Sequence, residues 1–243
     1  MNTSVRCFEK FLKARGLTHN GTLCLSLITQ APLWCTSRNL LDRTPAIQAL
    51  QFMSNYLVAK AVSGSKLCVL RRSDNMPAVH NWHVGQSLQP WPADVRLHMD
   101  PEFPKNKELS DWVHVFGGTL IASRRMKEFI EAAAPLHTEY LPVKIADHQG
   151  RDVDAEYFLV NPHVHQDALD RAQSIVTWHD MLPDLICDCE KLVLDETRIK
   201  TQALLFRLKH YPRIVVFRRD LGDAIRAAEF TGIKLVEVHK IMS

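Results

Sequence analysis

Twelve histidines and six cysteines raise metal chemistry first. The tightest groups are His163-Val164-His165 and Cys187-Asp188-Cys189, with His179 between them. Zinc asks for four such ligands converging in a tetrahedron, and an H-x-H with a C-x-C supplies four. The spacing, however, is that of no common zinc module, which would show C-x2-C or H-E-x-x-H. A small cytosolic metal-assisted enzyme using His163, His165, Cys187 and Cys189 therefore stands as an alternative and not as the leading function. Nucleophilic catalysis has less to offer, since the chain holds neither a G-x-S-x-G elbow nor a G-x-x-x-x-G-K-[ST] phosphate loop. The carboxylate pairs Asp152/Asp154 and Asp167/Asp170 suit acid–base work only where burial draws them together. No catalytic residue, metal ligand or cofactor is expected from these patterns.

The elements that must position these residues are legible in part. Thr119–Ile145 and Arg213–Val238 each read as a strand, an amphipathic helix and a second strand. Met126, Phe129, Ile130 and Ala133 recur at helical spacing in the first, and Leu221, Ala224, Ile225 and Ala228 do so in the second. A shift of 95 positions superposes their apolar sites, for example Ile130 on Ile225. Ser123 suits the N-cap of the first helix, and Gly232 suits a left-handed stop after the second. Further strands are expected at Met53–Val62, Tyr157–Val160, Leu192–Leu194 and Leu204–Leu208, with Asn161-Pro162 a turn. Ile175–Trp178 and Leu182–Ile186 are ambiguous between helix and strand. Ser73–Lys107, with five prolines and the tryptophans Trp82 and Trp91, reads as long loops around short strands. The expected class is α+β: a mixed β-sheet with a few helices packed mainly on one face, containing two similar strand-helix-strand units.

Apolar residues make up 46% and charged residues 23% of the 243-residue chain, enough for a sizeable core and too ordered a balance for a disordered tail. No run of 18 apolar residues occurs, so no membrane span is expected. Six irregularly spaced thiols fit a reducing compartment better than a disulfide framework. The residues ahead of Met53 carry six basic and two acidic side chains, whereas the remainder carries 24 basic and 25 acidic. The body thus lacks the basic excess of a nucleic-acid binder. Arg71-Arg72, Arg124-Arg125 and Arg218-Arg219 are isolated pairs with acidic residues nearby, expected to be solvated surface or local ion pairs. The first 52 residues hold three of the six cysteines and little periodicity, apart from a helix start at Thr44-Pro45. We expect an N-terminal extension over 1–52, with Met53 as an alternative start, and a single domain over 53–243.

Several segments together carry a family resemblance. Asp111-Trp112 leads to LIASRRMKEFIEAA and the strand EYLPVKI. Tyr157-Phe158-Leu159-Val160-Asn161 is followed by Asp167, Asp170 and Ser174. KLVLDETRI leads into Leu205-Phe206-Arg207-Leu208, and IVVFRRDLGDAIRAAEFTGIKLVEV closes the series with its Thr231-Gly232 step. From about Trp112 to Val238 the chain resembles a bacterial immunity protein family whose members are encoded beside polymorphic toxins, including effectors of type VI and contact-dependent secretion.

The resemblance implies a cytoplasmic protein that binds and neutralises a cognate toxin domain, encoded by an adjacent gene, by non-catalytic occlusion. It implies no cofactor, no enzyme activity, and neither nucleic acid nor membrane as partner. A non-toxin binding module is a further alternative. Partner contacts are expected in the loops around Trp82 and Trp91, at Asp94, Asp100, Glu102, Glu108 and Asp111, where carboxylates would steer a basic toxin. Asn161, Asp170 and Phe206 are expected to fix turns and core, and Arg207 to pair within the domain.

Overall fold

The computed structural model describes residues 54–62, 64, 66–71, 84–115, 119–133 and 135–241. The chain divides into two units, Met1–Ser54 and Asn55–Ser243, and the architecture below is that of the second. The helix start expected at Thr44-Pro45 lies outside the described residues, as does Trp82.

Six strands close into a barrel. They are β2 (Val69–Arg71), β3 (Arg96–Met99), β4 (Trp112–Val115), β5 (Leu120–Ser123), β6 (Thr138–Ala146) and β7 (Tyr157–Pro162), arranged in the order β2-β3-β6-β7-β5-β4. The β3–β6 and β2–β4 pairings are parallel and the others antiparallel. Alternate side chains fill the interior, as the two-residue period of a strand requires. Leu97 and Met99 point inward from β3, Leu141, Val143 and Ile145 from β6, and Tyr157 and Leu159 from β7, where they meet Leu70, Val113, Val115 and Ile121. On the outer side, helix α1 (Arg124–Ala132) buries Met126, Phe129 and Ile130 and lies over β5 and β7. The Ser123 hydroxyl caps it by accepting from the Met126 amide.

The second sheet is open. It comprises β1 (Tyr56–Ala61), β8 (His165–Gln166), β11 (Leu205–Leu208), β12 (Tyr211–Arg218) and β13 (Ile233–Glu237), in the order β13-β1-β12-β11-β8. Helix α2 (Arg219–Ala227) packs on β12 and β1 through Leu221, Gly222 and Ile225. Helix and sheet approach so closely here that a Cβ on Gly222 would lie 2.7 Å from Leu57 Cδ1. The opposite face presents Tyr56, Val58, Phe206, Leu208, Ile214 and Val216. They pack with Ile186, Cys189 and Leu192, which belong to or follow the ribbon β9 (Ile175–Trp178) and β10 (Ile186–Lys191). In both the barrel and the open sheet, the strands flanking a helix are separated by an antiparallel strand, β7 between β5 and β6 and β1 between β12 and β13.

The class is α+β with mixed sheets and two helices among the described residues. In place of one mixed sheet there are a barrel, an open sheet and a ribbon. Closure depends on β2, β3 and β4, of three or four residues each, pairing with partners far along the chain, as Arg96 does with Lys144. Other differences are local. Asn161-Pro162 ends β7 instead of turning, and Leu192–Leu194 lies beyond β10, held by the Leu169–Leu194 bridge and by hydrogen bonds of Val193 with Asp170 and Ser174. Gly232 is left-handed (φ 80°) but opens β13, and the left-handed residue that follows α2 is Glu229 (φ 54°). No described helix is long and apolar enough to cross a membrane.

Candidate functional site

The loop residues expected to meet a partner fall into two groups. Asp94, Glu102 and Glu108 stand at the surface, with Phe103 39% exposed beside Glu102. Glu108 faces Lys66 at 3.9 Å, and its main chain bonds to Lys66 and Cys68. Asp100 is only 2% exposed; its Oδ1 accepts from the Glu102 amide at 3.0 Å and lies 3.8 Å from Arg71 Nε, fixing the turn out of β3. Trp91 is half-buried against the barrel core and donates from Nε1 to the Pro142 carbonyl at 2.8 Å.

Asp111 is a junction inside the fold, its side chain 11% exposed. Oδ1 accepts from the Ser123 hydroxyl that caps α1, at 2.9 Å. Oδ2 accepts from Arg125 at 3.1 Å and from the amide and hydroxyl of Thr231 at 3.0 Å each. Arg125 in turn donates to the Ala228 carbonyl at 2.7 Å and lies over the Phe230 ring, 4.3 Å from its centroid. One carboxylate therefore ties the entry of β4, the start of α1 and the approach to β13.

A polar cluster that the sequence announced only in part lies where the barrel meets the open sheet. Glu139 on β6 accepts from Ser87 Oγ at 2.6 Å, the Leu88 amide at 3.1 Å and Asn161 Nδ2 at 3.2 Å, and His163 Nε2 is 3.0 Å away. Asn161 is fully buried, donates also to the Gln86 carbonyl at 2.8 Å, and accepts from Arg207 at 3.4 Å. Arg207, 1% exposed, donates to the carbonyls of Pro162 at 3.2 Å and Pro212 at 2.6 Å. His165 Nε2 lies 2.6 Å from the Val84 carbonyl. Gly85 (φ 66°) passes so close that a Cβ there would stand 2.6 Å from Arg207 Cδ and 2.9 Å from the Pro162 carbonyl.

The electrostatics of the cluster follow from these contacts. Burial lowers the Arg207 guanidinium to about 10. Burial pushes Glu139 up, but the hydrogen bonds from Ser87, Leu88, Asn161 and His163 outweigh it and hold the carboxyl below its ordinary value. Four donors occupy the acceptor sites of this carboxylate. A general base needs a lone pair facing its substrate, so the arrangement suits clamping the segment Val84–Leu88 onto the body. The sequence signals were the His163-Val164-His165 group and, within the family segments, Asn161 and Arg207; Glu139 sits in an ordinary strand pattern.

The other groups singled out for chemistry are dispersed. Asp152 pairs with Arg96 at 2.9 Å. Asp167 faces Arg198, Lys209 and His210 at 3.2, 3.7 and 3.2 Å, and Asp170 accepts from the Ala172 and Gln173 amides at 3.0 Å to close a turn. Cys187 is exposed and Cys189 buried. Among the described residues, no group of three or more His, Cys, Asp or Glu side chains is placed to hold a metal ion. The arginine pairs are locally neutralised: Arg218 by Asp220 and Arg219 by Glu237, each at 2.6 Å, and Arg124 by Glu156.

Comparison with known families decides what this scaffold is. The model of the Immunity protein family (Imm11) matches residues 36–240. The chain belongs to the Imm11 immunity protein family. The match takes in the whole described fold up to Lys240 and begins ahead of Met53, at residue 36. No curated protein matches the chain. Within this Imm11 chain, Asp111 and Thr231 bind each other, and Asn161 binds Arg207.

Proposed function

We propose that this Imm11 protein binds a cognate bacterial toxin domain and neutralises it by occlusion, without turnover. The observation that carries the reading is the family match over residues 36–240. The side chains best suited to chemistry support it, because Glu139, Asn161 and Arg207 are engaged with one another and with the chain's own carbonyls and amides. Such a protein works by covering a surface. Its affinity comes from a few well-packed anchors ringed by polar groups, and charge sets the rate and selectivity of encounter.

In this reading the partner is a polymorphic toxin encoded by the adjacent gene and delivered by a sibling cell through type VI or contact-dependent secretion. The inhibitor waits in the cytoplasm and takes neither nucleic acid nor membrane as its target. Of the loop residues, the exposed Asp94 and Glu102 would add contacts, and Glu108 would do so beside its pair with Lys66. Asp100 and Asp111 act by holding the loop and the sheets in place, and Trp91 by seating the loop on the barrel.

Co-expression tests the proposal. Cells carrying the neighbouring toxin gene under a tight promoter should survive induction when this chain is present, and unrelated toxins should kill them regardless. Killing by the neighbouring toxin in the presence of the folded chain contradicts the reading.

A further inference from the structure

Six large apolar side chains are conspicuously exposed among the described residues, and Ile175, Met181 and Leu182 all belong to the β9–β10 hairpin. Met181 is 83% exposed and Leu182 52%. The inner side of the hairpin is anchored. Val176 and Trp178 pack on the core of the open sheet, where the Trp178 ring meets His210 edge-on at 5.6 Å and Arg171 lies 4.6 Å from the Trp178 centroid. The Ile186 amide donates to the His210 carbonyl at 2.8 Å.

The tip is also shaped in advance. His179 Nδ1 accepts from the amides of Met181 at 3.1 Å and Leu182 at 3.2 Å. The His179 amide donates to the Leu185 carbonyl at 2.8 Å, and the Leu185 amide to the Leu182 carbonyl at 2.8 Å. A loop so tied holds its two apolar side chains outward without further ordering, which lowers the entropy cost of inserting them into a partner. Methionine adapts readily to an irregular apolar depression.

Charge says what kind of partner. Asp180, Asp184, Asp188 and Glu190 are exposed along the same hairpin, and none is ion-paired among the described residues. Lys191 is the one Lys or Arg in Ile175–Lys191. By contrast, the stretch Asp94–Asp111, which includes β3, carries Arg96, Lys105 and Lys107 among its carboxylates. Unpaired carboxylates around projecting apolar side chains complement a basic surface with an apolar hollow, and they accelerate encounter with it.

We infer that the β9–β10 hairpin is the toxin-docking element, its tip inserting Met181 and Leu182 into a basic face of the toxin domain. The inference rests on the toxin-neutralising reading above and adds the surface and the chemistry of the partner. It places the principal contact on the hairpin and a lesser one on the loop around Glu102.

The test uses the full chain and, as probe, the toxin domain encoded by the adjacent reading frame, with binding followed by surface plasmon resonance. The triple variant Asp180→Lys, Asp184→Lys, Glu190→Lys should slow association about tenfold or more at low salt, and the difference should shrink as salt rises. Met181→Asp should speed dissociation by about tenfold or more. Asp94→Lys with Glu102→Lys should change either rate by less. Each variant replaces exposed side chains, and an unchanged thermal melt identifies a folded sample. If the unmodified chain neither binds nor protects, the toxin reading falls and the hairpin assignment with it. If the unmodified chain binds and both hairpin variants match it, or the loop variant loses more, the hairpin assignment alone falls. Self-association of the purified chain that Met181→Asp abolishes would give the hairpin to a second copy and overturn the proposal.

Discussion

Asp111 and Thr231, 120 positions apart, bind each other reciprocally: the Thr231 amide and hydroxyl both donate to Asp111 Oδ2, and the Asp111 amide donates to Thr231 Oγ1, each at 3.0 Å. The adjoining Trp112 amide donates to the Thr231 carbonyl at 3.1 Å. Asp111 introduces barrel strand β4, and Thr231 precedes β13 of the open sheet. The pair joins two bodies whose strands otherwise belong to separate sheets.

Loss of this joint should be costly. Hydrogen bonds to a charged group contribute about 1.5–3 kcal/mol, and the half-buried Ser123 hydroxyl would also lose its acceptor. Asp111→Ala should therefore destabilise the fold by about 2–4 kcal/mol in urea unfolding. Combined with Thr231→Val, it should show a coupling of about 1 kcal/mol or more in a double-mutant cycle. Additive effects would mean that the two residues act independently.

Two glycines with similar backbone angles make a controlled comparison. Gly232 (φ 80°) has the Trp112 carbonyl 2.1 Å from where a Cβ would stand, whereas Gly150 (φ 77°) has nothing within 4 Å. Gly150→Ala should incur only the left-handed penalty, about 1–2 kcal/mol. Gly232→Ala should exceed it by about 2 kcal/mol or more, since main chain has to move. Equal melting temperatures for the two variants would contradict the close approach of the two segments.

Glu139 gives stability a pH dependence of known sign. Its folded pKa lies below its unfolded one, near 4.5. Its contribution is therefore complete above that range and is lost as pH falls through the folded value. Glu139→Gln should destabilise the protein at neutral pH by about 1–3 kcal/mol, and the gap to the unmodified protein should narrow in acid. Denaturant titrations from pH 7 to 3 measure it; a gap that widens in acid contradicts the assigned bonds.

The described thiols should differ in reactivity. Cys187 is exposed, whereas Cys68 is buried and its thiol is raised by that burial to about 12. Cys189 is buried as well, and its thiol is raised by burial and by Asp188. The thiolate is the reacting form. Mass spectrometry after brief iodoacetamide treatment at neutral pH should find Cys187 alkylated well ahead of the other two, and prior labelling of Cys68 would contradict its place in the barrel core.

Local pattern carried part of this fold into view. Both helices lie where Met126, Phe129 and Ile130, and Leu221 and Ile225, recur at helical spacing. Tyr56 and Val58 mark β1 by alternation, and both enter one core. The barrel was hidden because closure is a matter of pairing: three-residue β2 has no period to read, and its partners β3 and β4 come from separate stretches. The same limit affected the candidate site. Asp100 and Asp111 look like any loop carboxylates in sequence, and only the position of Thr231 or the Glu102 amide shows them turned inward. The β9 segment Ile-Val-Thr-Trp is too short to separate helix from strand until β10 pairs with it.

Protection of living cells is the sharpest check on neutralisation by binding. The chain and the toxin domain from the adjacent reading frame are expressed together, and viable counts are taken after toxin induction. Neutralisation by binding predicts survival that follows the molar ratio of inhibitor to toxin, with a stable one-to-one complex recovered from the cells. Death at inhibitor excess, or survival in which substoichiometric amounts of this chain destroy or modify the toxin, would contradict it.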